Sequence, residues 1–529
     1  MNGLGGFNGL GGSNGLSNGL SNGLGGSNGL GLLMLAPTEI EARTVRRGAP
    51  SAHVVRTGMG PPRARRAAAA LAGTPAAGVA VAGFGGATTS ALEPGDVVVA
   101  SELRTPGGTT TITCPGAGMI AGMLRRRGVS AHVGPIVSVR SPATGSARAT
   151  LASTGALAVD MESAWLAGAG AGRPLVVVRA VLDTPRRELF NPIATAGGLL
   201  AAARALRAAA GVLAEWAAAI APRELVLGTP RASCTGVERA IEVVERVLER
   251  YGPPVYMRRQ IVHNRHVVAD LERRGAICVE EFDEVPDGAT VVFSAHGVSP
   301  RVREQARRRK LNAVDATCPL VSKVHAEARR FAKADYTIVL VGHQGHEEIE
   351  GTTGEAPGAV RVIAGEDQVQ GLQVRDPHRV AYLTQTTLAV DETKGVVDRL
   401  HERFPEIEGP RSDDICYATQ NRQDAVKALA SDCDLVLVIG SRNSSNSNRL
   451  VEVAERHGCR TRLIDDETEL QPDWLAHVRR VGLTAGASCP ERLVQRVVAA
   501  LRVLGPLELG EHSVATETVA FALPREVRD

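Results

Sequence analysis

From Glu224 to the C-terminus one rhythm repeats: a short apolar run, a cluster of small polar residues, then at once a helix-like stretch. Leu225–Leu227 leads to Ser233-Cys234-Thr235-Gly236 and the helical pattern Val237–Tyr251. Thr290–Phe293 leads to Ser294-Ala295-His296-Gly297, where Ser299 suits an N-cap and Pro300 the first helical position. Ala313-Val314 leads to Thr317-Cys318-Pro319, and Thr337–Val341 leads to Gly342-His343-Gln344-Gly345-His346. Val380–Leu383 leads to Thr384-Gln385-Thr386-Thr387, with a helix after Asp391. Leu435–Ile439 leads to Ser444-Ser445-Asn446, and Val481–Leu483 leads to Thr484–Ser488, with Pro490 opening the last long helix. Such alternation predicts an α/β fold. In open α/β sheets ligands collect beyond the carboxyl ends of the strands. Helix N-termini there offer unpaired N–H groups to anions. Capping explains any single junction; seven that also carry His and Cys predict a polar, anion-binding centre.

The rest of the chain divides around this half. Residues 1–32 repeat Asn-Gly-Leu and Gly-Gly-Ser units and read as a disordered tail. Residues 33–222 are rich in Ala, Gly and Val, with short apolar runs at Gly78–Ala82, Asp96–Ala100 and Leu175–Val181. They predict a second α/β domain, closed by an Ala-rich helix from about Ala194 to Ala221. The third segment is 223–529. A length of 529 residues exceeds one ordinary core and agrees with more than one domain.

Composition removes several functions. A net charge of +3 over this length argues against a nucleic-acid binder. The runs Arg125–Arg127 and Arg307–Lys310 read as solvated helix faces. The N-terminus lacks a secretory pattern, and the best apolar stretch, 194–222, is broken by Arg204, Arg207 and Glu215. The expectation is a cytoplasmic protein with no membrane span, whose thiols are free, catalytic or metal-bound. None of the eight cysteines forms a C-x-x-C pair. Cys234, Cys318 and Cys416 sit in polar turns, the first two where a strand meets a helix. A helix N-terminus favours the thiolate, the form that holds iron in sulfur clusters. On spacing alone, three cluster ligands and three free thiols both stay open. Cys114, Cys278, Cys433, Cys459 and Cys489 read as structural.

Nine motifs in order then add a resemblance. They are Pro230–Ile241, Gln260–Asn264, Phe293–Val298, Asp315–Val321, Gly342–Glu348, Thr384–Thr387, Asp414–Thr419, Gly440–Asn448 and Thr484–Ser488. Together they resemble the LytB/IspH family, the 4-hydroxy-3-methylbut-2-enyl diphosphate reductases, from about Arg223 to Arg525. The resemblance implies three α/β lobes in pseudo-threefold arrangement around one 4Fe–4S cluster held by Cys234, Cys318 and Cys416. It implies that the iron left without a cysteine takes the substrate's allylic hydroxyl. Glu348 then delivers a proton, with Thr386 as its partner. His263, His296, His346, Ser444, Ser445, Asn446 and Ser488 bind the diphosphate. The implied electron donor is ferredoxin or flavodoxin. His325 and His343 read as structural. One departure stands out: Ala232-Ser233 replaces the family's usual Gly-Phe before the first cysteine. Two rival readings of this half are a metal-free diphosphate-binding module and a zinc hydrolase using the same Cys and His residues.

Residues 33–222 resemble the nucleoside phosphorylase/nucleosidase superfamily through Thr57–Gly60, Gly83–Gly86, Gly95–Val98, Val159–Ser163 and Arg179–Asp183. That implies Met161 and Glu162 at a ribose and Asp183 protonating a purine ring. The loop Gly58–Gly60 is a candidate for presenting N–H groups to phosphate. Leu182 stands where the family commonly has Ser. An active phosphorylase, a hopanoid-linked variant and a degenerate scaffold are the three options.

Overall fold

The computed structural model describes residues 31–107, 111–188 and 192–528. Most of the tail expected over 1–32 lies outside the described residues, while Leu32 opens the first strand, Leu32–Ala36. The chain forms two compact units. One is Met1–Ala221 with Gln471–Ala476 and Ala499–Pro506; the other is Pro222–Leu470 with His477–Val498 and Leu507–Asp529.

The first unit is built on an eight-stranded mixed sheet. Its strand Leu175–Asp183 runs parallel to Gly78–Ala87 and antiparallel to Val97–Arg104. Through Ala131–Ser138 and Ala158–Asp160 those pairings close into a ring. The glycines Gly83–Gly86, placed after a strand from the sequence, lie inside the strand Gly78–Ala87. The reason is close approach: a Cβ at Gly83 would collide with the side chains of Arg179 and Glu41, and one at Gly86 would stand 2.8 Å from Asp183 Oδ1. The Ala-rich helix runs Pro192–Ala218. By length and composition its stretch Ala196–Ala218 is long and apolar enough to cross a membrane. In the folded unit it buries Ala202, Leu206, Ala209, Val212, Leu213 and Trp216.

The second unit contains three parallel sheets. One orders Ala276–Val279, Val255–Arg258, Thr290–Phe293 and Asn312–Asp315. Another orders Val360–Ile363, Thr337–Val341 and Val380–Thr384. The last orders Arg460–Ile464, Leu435–Ile439, Arg480–Ala485, Arg223–Thr229 and Leu507–Ser513. The central strands Thr337–Val341 and Leu435–Ile439 are buried at every position, as expected for parallel strands covered on both faces. Each sheet is one lobe. Each lobe ends in one cysteine and two or more of the polar loops singled out from the sequence.

Candidate active site

Cys234, Cys318 and Cys416 share one local geometry. Each is the N-cap of a helix, at Thr235–Tyr251, Pro319–Lys333 and Tyr417–Asp432 respectively, with extended or near-extended backbone. In each case the N–H groups of the second and third helical residues point at the thiol: Gly236 and Val237, Leu320 and Val321, Ala418 and Thr419. Helix N-termini thus aim six donors at three sulfurs, which favours thiolates. Burial works against them. It raises the Cys234 thiol and pushes Cys318 to about 11 and Cys416 to about 12, the neighbouring cysteines adding to the rise in the last two. The thiolates therefore need a cation to neutralise them, and this donor set fits an iron–sulfur group. A Cβ at Gly236 would lie 2.8 Å from Cys318 Sγ and 3.9 Å from Cys234 Sγ. Glycine keeps the space between the sulfurs clear. Gly236→Ala is expected to fold normally and to lose most bound iron, measured by metal analysis of anaerobically purified protein.

The cysteines are also tied to the polar loops. Cys318 N–H donates to Ala295 O at 3.0 Å, Cys416 N–H to Thr386 O at 3.0 Å, and Cys234 N–H to Ala487 O at 3.1 Å. Those carbonyls precede His296, belong to Thr386 and precede Ser488. The same relation recurs once in each lobe.

The departure Ala232-Ser233 has a visible consequence. Ala232 adopts φ 62°, the left-handed region that favours glycine. Its carbonyl is held by the buried Arg422, through Nε at 3.0 Å and Nη2 at 2.7 Å. Ser233 Oγ donates to Cys489 O at 3.1 Å. Ala232→Gly is expected to stabilise the chain by about 1 kcal/mol, read as a higher denaturant midpoint.

Beside the sulfurs three imidazoles converge. The His263 and His296 rings stack with centroids 4.1 Å apart, and His346 meets them edge-on at 5.6 and 5.8 Å. His346 caps the helix Glu347–Glu355, its Nδ1 accepting from Glu348 N–H at 3.2 Å. Its proton therefore sits on Nε2, which is buried and without a partner. His263 Nδ1, His296 Nδ1 and Asn446 Nδ2 are likewise buried without a hydrogen-bond partner, although His296 Nδ1 has the Glu347 carboxylate 3.6 Å away. Unpaired buried polar atoms are rare and costly, and here they cluster. Asn446 Oδ1 accepts from Ala487 N–H at 2.9 Å, which leaves its amide NH₂ free to donate. Ser444 caps the helix Ser445–Arg456. Ser445 Oγ lies 2.9 Å from Thr387 Oγ1, and Ser488 Oγ donates to His263 O at 3.0 Å. Burial, and then the other histidines, push His263 to about 3 and His346 to about 4. These two rings are neutral hydrogen-bond donors at ordinary pH.

Glu348 is 2 % exposed, unlike the solvated helix carboxylates its neighbours suggest. Its Oε1 accepts from Thr386 N–H at 2.8 Å and its Oε2 from Thr386 Oγ1 at 3.1 Å. Burial pushes it up to about 7 despite those bonds. It can hold a proton near neutral pH, as a general acid must.

The family model for the LytB protein matches residues 225–502, more than half of the chain. The chain belongs to the LytB family. It is 56% identical to the 4-hydroxy-3-methylbut-2-enyl diphosphate reductase of Nocardia farcinica over 307 residues, 58% of this chain and 91% of that protein. It is 54% identical to the same-named reductase of Xanthomonas campestris over 310 residues, 58% of this chain and 98% of that one. A solved E-1-hydroxy-2-methyl-but-2-enyl-4-diphosphate reductase from Plasmodium falciparum superposes with TM-score 0.56 at 38% identity, covering 58% of this chain and 97% of that structure. The phosphorylase superfamily model matches residues 37–214, so a LytB reductase region follows a phosphorylase-like one. Within the LytB region the structure brings together all twelve residues singled out from the sequence. It adds Glu347, Ser294, Thr387, Gln385 and Arg422. Glu347 was legible only as a neighbour of Glu348, and Arg422 gave no motif signal. His325 pairs with Glu355 at 3.2 Å and His343 Nε2 lies 2.7 Å from Arg449, both in structural roles.

In the phosphorylase-like region Glu162 Oε1 accepts from Gly60 N–H at 2.9 Å. That N–H, expected to be open to phosphate, is occupied by the protein itself. Glu162 and Asp160 flank the fully buried Arg179, at 3.8 and 2.7 Å. Glu41, absent from the sequence reading, joins them by accepting from Phe84 N–H at 2.7 Å. Met161 lies in the turn between the strand Ala158–Asp160 and the helix Ser163–Leu166. Asp183 ends its strand in a buried ion pair with Arg148.

Proposed function

We propose that residues 223–529 reduce (E)-4-hydroxy-3-methylbut-2-enyl diphosphate to isopentenyl and dimethylallyl diphosphate, the last step of the non-mevalonate route to isoprenoids, in the cytoplasm. The observation that carries this reading is the convergence of three helix-capping cysteines beside a pocket of unpaired imidazole and amide donors. A 4Fe–4S cluster held by Cys234, Cys318 and Cys416 would supply the electrons and a Lewis-acidic iron for the leaving hydroxyl. Overall the allylic C–O bond breaks and its oxygen leaves as water. Two electrons from reduced ferredoxin or flavodoxin enter the allyl unit, and a proton completes the new C–H bond.

The chain's own residues supply the rest. His263, His346, Asn446, Ser444 and Ser445 present hydrogen-bond donors to the diphosphate, Ser488 joins them when its hydroxyl turns from His263 O to the ligand, and His296 adds the option of a charge-assisted bond. This anchors the substrate with its hydroxyl end toward the sulfurs. Glu348 holds the proton for the leaving oxygen, and Thr386 orients that carboxyl through two hydrogen bonds. Burial of Glu348 and Thr386 keeps water from the reacting carbon.

Anaerobic electron-paramagnetic resonance with and without substrate, alongside iron and sulfide analysis, tests the proposal. A brown protein with a cluster signal that changes on adding substrate is expected. Zinc without iron, or diphosphate binding by a colourless protein, would overturn it in favour of the hydrolase or the binding module.

Residues 33–222 carry a second reading, a phosphorylase-like domain with Met161 and Glu162 at a ribose and Asp183 at a base. Burial raises the Asp183 carboxyl while Arg148 pulls the other way, and the ion pair opposes protonation of a purine ring. Incubation with adenosine or methylthioadenosine, with and without phosphate, tests it; release of adenine would show that the pair does not block that step.

A further inference from the structure

The pocket built to grip an anion contains a carboxylate. Glu347 is the first residue of the helix Glu347–Glu355. Its side chain is only 12% exposed, and its Oε2 lies 3.6 Å from His296 Nδ1, an ion-pair distance slightly beyond a hydrogen bond. Ser294 Oγ donates to the same oxygen at 3.3 Å. Ligand atoms of His263, His296 and Glu347 all lie within 4.8 Å of one another. Left alone, a carboxylate here would repel a diphosphate. Its place needs a reason.

The three imidazoles suggest one. His346 accepts a hydrogen bond at Nδ1 and is a neutral donor. His263 and His296 stack at 4.1 Å, which fixes the plane of the His296 ring but not which of its nitrogens faces the ligand. The carboxylate stands beside His296.

We propose that Glu347 is a positioning residue of the diphosphate pocket: it holds His296 as an imidazolium turned so that Nε2 faces the substrate's diphosphate. The inference rests on the reductase reading for the identity of that anion. The charged and titratable groups facing His296 come from two elements. His263 follows the strand Val255–Arg258, together with Arg259; Glu347, Glu348 and His346 stand at one helix N-terminus. Arg259 sits at the rim, its Nη1 3.0 Å from Glu350. Burial opposes the charged form of Glu347, yet the contacts with His296, then His263 and Arg259, outweigh it and hold the carboxyl below its ordinary range. Glu347 is thus the negative partner of a pair, and the pair leaves one positively charged donor face for the ligand.

The test uses the full chain with its cluster, comparing the parent with Glu347→Gln and Glu347→Asp. Inorganic diphosphate is titrated calorimetrically. Glu347→Gln is expected to weaken diphosphate roughly tenfold, with a matching rise in KM and little change in kcat. Glu347→Asp, which keeps the carboxylate beside the ring, is expected to restore most of that affinity. Unchanged or tighter diphosphate binding in Glu347→Gln, as removal of a merely repulsive charge would give, overturns the proposal. If the parent binds diphosphate with this dependence on Glu347 but does not reduce the hydroxylated substrate, the reaction assignment falls and the role of Glu347 stands. If reduction proceeds with equal KM in parent and variant, the reverse holds.

Discussion

Glu348→Gln is expected to lower turnover about 10²–10⁴-fold while iron content and substrate affinity stay close to those of the parent chain. The side chain is 2 % exposed and accepts two hydrogen bonds from Thr386. Glutamine is isosteric and its carbonyl oxygen can keep the bond from Thr386 N–H, so the fold and the pocket persist. It has no acidic proton to give, and hydroxide is a poor leaving group. The pH dependence follows from the same environment. Burial pushes this carboxyl up to about 7. The acid form is the working form, so turnover is high below that pH and falls about tenfold per unit above it. Steady-state rates with a dithionite-reduced donor under argon check both statements. A variant with unimpaired rate, or a parent rate that climbs through neutral pH, would remove Glu348 from proton delivery.

Cys416→Ala is expected to abolish activity and to strip the protein of its brown colour, with iron per chain falling to a small fraction of the parent value. Two sulfurs cannot replace three around one inorganic centre, and a removed ligand leaves the remaining thiolates without the cation that offsets their burial. Cys489→Ala is the control. Cys489 is fully buried, its thiol packed against Pro490 O at 3.6 Å. That change should leave iron and colour intact at a modest cost in stability. Iron assays and visible absorbance read both outcomes. Equal iron in Cys416→Ala and the parent would sink the cluster assignment.

Much of the second unit was readable because parallel strands buried on both faces leave continuous apolar runs, as at Thr337–Val341 and Leu435–Ile439. The short strands Val360–Ile363 and Arg460–Ile464 carry exposed or half-exposed arginines and gave no such run. They lie at sheet edges. The polar loops were legible as helix starts, because capping chemistry is local. Cys416 was the least legible of the three converging cysteines. Between its strand Val380–Thr384 and its own helix stands a second helix, Val390–Arg403, so no strand runs directly into it. The burial of Glu348 was also hidden, since Glu347 and Glu350 give that helix the composition of a solvated face while tertiary packing decides otherwise. The glycines at 83–86 hid the length of their strand: the apolar run ends at Ala82, while the strand continues to Ala87 under buried side chains that lean on it.

The threefold tie between each cysteine N–H and the carbonyl of a polar loop bears on how this site can evolve. In every lobe one backbone hydrogen bond joins the cysteine turn to a neighbouring loop. A change that shifts one lobe's loop therefore also shifts the cysteine bonded to it. Adaptation is steered away from the lobes' inner rims, toward side chains that touch neither end of that bond.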